Sequence, residues 1–589
     1  MANRTIRAAE TVLILGGAGM VGLQAAREVA RELNPKTIVI TSLREHEVRE
    51  AIEFLESEIS GPKLAGEWGN IFVPDALRGS SRDEIFGSTA NYDLLFDAVF
   101  RRESDYKQSA LFKLIDKYKP EIVIDCINTA TGISYQNEFD IAIQTKEMLD
   151  ALARRDGAIP REDLEPLLVT VRKLLISQGI PQIARHVLVL HRTLKDSAVQ
   201  IYVKVGTTGT GGMGLNIPYT HSEDKPSLPL LAKSAIGFAH TGLLFLLART
   251  PAASEEKHSA IVKGVKPGAM IGFRRVEKKH VKLRGENEKA YLFAPREETL
   301  GPRLELHQDP SRYERFESRD VPLEIIGADT GENGFFSVGE FLAITYPRQM
   351  EYVTPEEVAR TAILEILGAS TGRDVLAAID GAITEPSYRA GVMREHAVRE
   401  MRRLESKKRG EVPSIALGDL GPPKLSKLLA EAYLIREAAG TSDIAAIRAI
   451  APVEMKRRVE AYLEANAVVT STIVRIGTPI LRERDGTLTV MRGPRISIPP
   501  VTAGHTVVDL TSSAIDRYAK TGWVDLRLEN FERWRDRLGR ISRRDVERYG
   551  SAALDVKGYP GEELIPGDIV GWIFTNEEDE QGMIGRRVL

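Results

Sequence analysis

An α/β fold with a parallel, doubly wound sheet is the architecture this 589-residue sequence predicts, and three observations predict it. From Thr11 an apolar run (TVLIL), a glycine-rich turn (GGAGMVG), an amphipathic stretch (LQAAREVAREL) and a second apolar run (TIVITS) follow one another, which is the order of a βαβ unit. Further strand-like runs return at IFVP (71–74), EIVIDCI (121–127), QIYVKVG (200–206) and SAIVKGV (259–265). The chain between these runs is long enough to hold the crossover helices that parallel strands require.

The glycine turn comes first in chain order and carries the clearest chemistry. Gly16 permits a tight turn, Gly19 lets backbone N–H groups approach a pyrophosphate, and Gly22 lets the helix pack closely on the sheet. Met20 and Val21 open that helix, so their N–H groups belong to the same anion-binding end. In this strand–turn–helix context the pattern predicts a Rossmann-type domain that binds a dinucleotide. About twenty residues on, where a carboxylate would hold a free ribose 2′-hydroxyl, the chain has Thr41, Ser42, Leu43 and Arg44. Ser42 and Arg44 facing the adenosine ribose favour NADP(H), with NAD(H) as the alternative if Glu45 or Glu47 takes the acid's place.

Two stretches exceed the minimal repeat, roughly 76–110 and 145–175, and are read as insertions. Residues 276–350 mix strand signals with glycines, as loops over a site do. Beyond about 395 come long helical patterns, then strand-like TLTVMRG, RISIPP and HTVVDLT, then a tail holding Trp523, Trp534 and Trp572, read as core or interface anchors. The expected organisation is a dinucleotide-binding domain over 1–275, a substrate-covering region over 276–395, and a helical then mixed α+β accessory domain over 396–589.

Composition narrows the partners. Eighty basic residues against 83 acidic ones leave a net charge of −3, with no global field for nucleic acid or an anionic membrane. The basic run Arg402, Arg403, Lys407, Lys408 and Arg409 reads as a solvated helix face. A lone cysteine, Cys126, fits a reducing compartment. The first residues lack a signal peptide's apolar stretch and the longest apolar run, GLLFLLA, is too short to span a bilayer, so the expected location is cytoplasmic. The absence of H-E-x-x-H, paired cysteines and a phosphate-loop lysine leaves no metal site or nucleotide triphosphatase to expect.

Over about residues 10–390 the chain resembles the extended short-chain dehydrogenase/reductase family, which includes nucleotide-sugar epimerases and dehydratases. An ordered series carries the resemblance: GGAGMVG, then KPEIVIDCINTATGISYQ with Asn128 near the cofactor, then IYVKVGTTGTGG with Thr207 and Thr208 where a catalytic serine or threonine is usual. PYTHSEDKPSLPLLAKSAIGF resembles the approach to the active-site helix. IVKGVKPGAMIG resembles the sixth strand, with Pro267 in its turn, and MEYVTPEEVARTAI a later strand and acidic helix start.

The resemblance implies that Lys233 anchors the nicotinamide ribose and that Thr208 bonds the substrate oxygen. It also implies a tyrosine four residues before the lysine, and Pro229 stands there instead. Tyr219, His221 or Tyr135 is then left to exchange the proton. The expected function is that of an NAD(P)-dependent oxidoreductase or epimerase, acting by reversible hydride transfer on a small alcohol or carbonyl substrate. The alternative is a degenerate Rossmann protein that binds NAD(P) as a structural or sensory cofactor, and in either case the last third of the chain is a candidate for building a homo-oligomer.

Overall fold

The computed structural model describes residues 9–101, 105–128, 138–154, 160–206, 228–249, 260–265, 269–270, 272–280, 292–314, 324–330, 334–346, 352–369, 388–407, 413–417, 423–499, 506–541, 559 and 561–577. They form two compact units, the first drawn from 9–272 and 352–369 and the second from 273–346 and 388–577. This grouping cuts across the boundaries expected at 275 and 395. The chain leaves the first unit after Gly272 and returns to it at Tyr352, so 276–346 belongs with the C-terminal residues.

The first unit is a six-stranded sheet of β1 (Thr11–Leu15), β2 (Thr37–Ser42), β3 (Lys63–Trp68), β4 (Ile122–Asp125), β5 (Ile201–Val205) and β6 (Ile261–Val265), in the order 3-2-1-4-5-6. Every neighbouring pair is parallel. This is the doubly wound Rossmann arrangement, whose strand order reverses beside β1 and opens a crevice there. Its central strands read as continuous apolar runs because both faces are covered. Val12, Ile14, Ile38, Ile40, Ile122 and Ile124 face one layer, with α1 (Met20–Glu32) and α2 (Glu45–Glu58). Leu13, Leu15, Val39, Val123 and Tyr202 face the other.

That second layer holds α5 (Ala110–Tyr118), α8 (Gly179–Lys195) and α9 (Leu228–Arg249), which contribute Leu111, Leu114, Leu190, Leu194 and Leu244. The expected insertions are helical. The first holds α3 (Arg82–Gly87) and α4 (Thr89–Phe100), and the second holds most of α6 (Glu138–Ala153) and α7 (Arg161–Ile176). Ile85, Phe86, Tyr92, Leu95 and Val99 close a small core of their own with Val73, Leu77 and Ile176. The returning segment adds α10 (Pro355–Ile366) to the first layer, where Val358, Ala359, Ala362 and Ile363 join the main core. Thr354 caps α10 in a capping box with Glu357, and Arg360 pairs with Glu32 of α1 at 2.9 Å.

IFVP is not a strand: Ile71 and Val73 are core residues of a loop, and the edge strand is KLAGEW at 63–68. Gly66 explains the position of that edge. A Cβ there would lie 2.6 Å from Val48 Cγ1 and 2.8 Å from Ile52 Cδ1, so α2 packs directly on the strand's backbone.

The second unit is mixed α+β, with a four-stranded sheet, a three-stranded sheet and a two-stranded ribbon. Trp523 and Trp534 are 0% and 2% exposed and Trp572 is 3% exposed, so all three are core residues. No helix among the described residues is long and apolar enough to cross a membrane.

The edge-strand packing is directly testable. Gly66→Val should lower unfolding free energy by about 1–3 kcal/mol through overpacking, read as a shifted urea midpoint. Gly87→Ala, whose added Cβ meets nothing within 4 Å among the described residues, serves as the neutral control.

Candidate dinucleotide-binding site

Leu15 ends β1 and Met20 begins α1, so four residues make the turn between them. Gly16 takes φ +70°, a conformation open to glycine at little cost. Its missing side chain is also needed for space, because a Cβ would lie 3.1 Å from the Ile127 nitrogen and 3.2 Å from the Cys126 carbonyl carbon. At Gly17 the obstacle is Ile40 of β2, 2.9 Å away. Gly22 is the tightest: a Cβ there would stand 2.3 Å from the Gly16 oxygen and 2.5 Å from Gly17 Cα. Its role is therefore to bring α1 onto the turn itself rather than onto the sheet.

Gly19 differs from the other three. Among the described residues a Cβ there would meet only the Gly16 oxygen, at 3.2 Å, and its other side is open to them. It is the N-cap of α1, and no side chain among the described residues caps the helix. The first N–H groups of α1, those of Met20, Val21 and Gly22, therefore face an opening with the positive end of the helix dipole behind them. That is a cradle for an anion, and the turn fits a pyrophosphate.

At the end of β2, Thr41 is buried and its hydroxyl accepts from the Gly16 N–H at 3.2 Å, tying the turn to the second strand. Ser42 donates to Glu47 at 2.6 Å. Arg44 is exposed at the start of α2 and forms no ion pair among the described residues. The cation and the carboxylate considered for the ribose contact thus both stand near this strand end.

Asn128 follows β4, beside the segment that touches Gly16. Lys233 lies within α9, and Pro229 is the second residue of that helix, where a missing N–H costs no helical hydrogen bond. Thr208, Tyr219, His221 and Pro267, with Thr207 and Tyr135, lie outside the described residues.

A buried polar group beneath the site was not anticipated. Asp125 and Lys204 are register partners in β4 and β5, 1% and 3% exposed, and pair at 2.9 Å. Tyr202 donates to the other Asp125 oxygen at 2.6 Å. On the helices covering this face, His186 and His240 lie with ring centroids 5.8 Å apart, and neither Nε2 has a hydrogen-bond partner among the described residues. Burial and the Lys204 charge hold His240 well below its ordinary value. Burial holds His186 down at about 4, with Asp125 opposing and Lys204 reinforcing. Desolvation and the Asp125 carboxylate push the Cys126 thiol up to about 12, which leaves it an inert thiol. The legible signal for this group was a carboxylate and an ammonium inside two otherwise apolar strands, IVID and IYVKV.

Comparison with known proteins adds one family match. Residues 294–578 match the model of the beta-methylindole-3-pyruvate reductase C-terminal domain, a span lying mostly in the second unit. No curated protein matches the sequence.

Among solved structures, Pen from Bacillus thuringiensis is similar at 10% identity over 62% of this chain and 68% of its own, with a TM-score of 0.27. The Bordetella bronchiseptica enzyme WbmG, solved with NAD, is similar at 12% over 45% of this chain and 54% of its own, with a TM-score of 0.21. Gre2 from Candida albicans, solved with NADPH, is similar at 8% over 67% of this chain and 97% of its own, with a TM-score of 0.26. The chain thus spans about half of WbmG, and scores this low carry no weight for its function.

The histidine pair has a consequence for acid stability. Between about 4 and the ordinary 6.5 the unfolded chain takes up a proton at His186 that the folded chain refuses. Stability therefore rises with pH through that window and is lost as pH falls through it, by up to about 3 kcal/mol for this one group. Urea midpoints measured from pH 7 to 4 should fall less steeply for His186→Phe than for the unaltered protein.

Proposed function

We propose that this protein is an oxidoreductase that binds a nicotinamide dinucleotide on its first unit and moves hydride to or from an alcohol or carbonyl carbon. The observation that carries the reading is the side-chain-free mouth at Gly19, where the uncapped end of α1 opens at the head of a 3-2-1-4-5-6 parallel sheet. The match of residues 294–578 to a reductase domain supports the same class. Its description names a pyruvate derivative, which makes a 2-oxo acid the first carbonyl substrate to assay.

A nicotinamide dinucleotide seated there would donate or accept the hydride. The N–H groups of the first turn of α1 hold the pyrophosphate, and Gly16 and Gly22 keep its place clear. Arg44, exposed and without an ion pair among the described residues, meets a ribose 2′-phosphate and gives the preference for NADP(H). Glu47, which accepts from Ser42, is the group that would instead favour NAD(H). On the resemblance to the short-chain family, Asn128 and Pro267 would border the nicotinamide half, Lys233 would hold its ribose, Thr208 would orient the substrate oxygen, and Tyr219 or His221 would exchange the proton.

A second reading has the dinucleotide bound as a structural or sensory cofactor without turnover. Pro229 favours it, because a proline four residues before Lys233 has no proton to exchange. Absorbance at the reduced nicotinamide band, followed over a panel of 2-oxo acids and alcohols, separates catalyst from sensor.

Two substitutions test the binding site. Gly19→Asp places a carboxylate where the diphosphate belongs, in a spot with room for it, so the protein should stay folded and lose nicotinamide binding by at least about a hundredfold; unchanged affinity in a fluorescence titration would contradict the assignment. Arg44→Ala should weaken NADPH roughly tenfold or more while leaving NADH nearly unchanged, and equal effects on the two would overturn the stated preference.

A further inference from the structure

Resting on the dinucleotide-binding reading, we infer that Lys204 is a positioning residue which, with Asp125, holds the turn after β4 against Gly16 and so fixes the far wall of the cofactor cleft. The hydrogen bonds of Lys204 carry this inference. Reaching from β5, its ammonium donates to Asp125 Oδ1 at 2.9 Å and to the Ile127 carbonyl at 2.5 Å, and it has no other partner among the described residues. Both acceptors belong to one turn. The turn is closed from within as well, because Asp125 Oδ1 also accepts the Ile127 N–H at 2.9 Å.

The turn held in this way is the surface that Gly16 touches. The Ile127 nitrogen and the Cys126 carbonyl carbon occupy the space into which a Gly16 Cβ would project. Cys126 N–H donates to the Leu15 oxygen at 2.8 Å, so the last ladder bond between β1 and β4 leads directly into the clamped peptide. A displacement of a few tenths of an ångström at residues 126–127 would move the wall relative to the glycine turn, and Asn128 would move with it.

Neutralising a buried carboxylate would require only the ion pair. The bond to a backbone carbonyl two residues further on is a separate feature, and it converts a charge partner into a brace. Tyr202, fully buried, fixes the second Asp125 oxygen and so orients the carboxylate that Lys204 meets. Burial lowers the pKa of both His186 and His240 on the covering helices, so among the described residues Lys204 is the cation that meets Asp125 on this side of the sheet.

The role of the brace can be separated from that of the charge. In Lys204→Met alone, Asp125 is left buried and unpaired, and loss of folding would mask any effect on binding. The double variant Lys204→Met with Asp125→Asn removes both charges and the brace together. Its thermal midpoint should stay near that of the unaltered protein, while its Kd for NADPH, read by nicotinamide fluorescence, should rise roughly tenfold. Should the double variant fail to fold, Tyr202→Phe removes only the hydroxyl that orients Asp125 and should raise the Kd about two- to threefold.

A folded double variant with unaltered NADPH affinity, or an unaltered Kd in Tyr202→Phe, overturns the positioning role while leaving dinucleotide binding intact. If the unaltered protein takes up neither NADPH nor NADH, the underlying reading falls and the positioning role falls with it.

Discussion

The candidate site depends on backbone meeting backbone at Gly16. Three elements converge on that residue from different directions: α1 through Gly22, β2 through the Thr41 hydroxyl, and the turn after β4 through the Cys126–Ile127 peptide. The approaches of Gly22 and of the Cys126–Ile127 peptide are closer than a side chain at Gly22 or Gly16 would allow. Interiors are packed too densely for such contacts to be adjusted one at a time. The opening at Gly19 is thus the side left free when the other three have been filled, and its shape is inherited from the packing around it.

The first crossover was legible in the sequence because two strong local signals coincide in it. TVLIL is apolar at every buried position and TIVITS at all of them except Thr41, and the glycines between the two runs stand where a strand-to-helix turn needs them. The third strand was not legible. KLAGEW contains a glycine, a lysine and a glutamate, and it is a strand because α2 lies on Gly66 and β2 offers a free edge, both of which are tertiary facts. IFVP misled for the converse reason, since a loop residue such as Ile71 can be buried without joining a ladder.

The same distinction separates the parts of the site. Positions that need a missing side chain, such as Gly16 and Gly22, announce themselves by composition. Asp125 and Lys204 stand out only as charges in apolar strands, and their partnership is hidden because it arises from the register of two strands whose paired residues lie 79 apart in the chain. The second unit was the least legible of all. Its interior mixes tryptophans with charges: Trp534 donates to Glu431, which also pairs with buried Lys427, and Arg492, with no exposure, donates to the carbonyls of Glu305, Leu306, Gly493 and Pro494. Such groups cost desolvation and return it only when fully bonded, so their residue types at those positions contradict the simple rule that apolar residues mark the core.

The interleaving of the two units gives the chain an assembly order that its residue numbers conceal. The main core of the first unit is completed by Val358, Ala359, Ala362 and Ile363 of α10, which are synthesised after more than seventy residues destined for the other unit. On the ribosome the parallel sheet must therefore wait with one apolar face partly bare while its neighbour's strands emerge. Any attempt to separate the halves at a single peptide bond leaves one of them without a wall, and a functional division of this protein would have to rejoin two distant stretches of sequence.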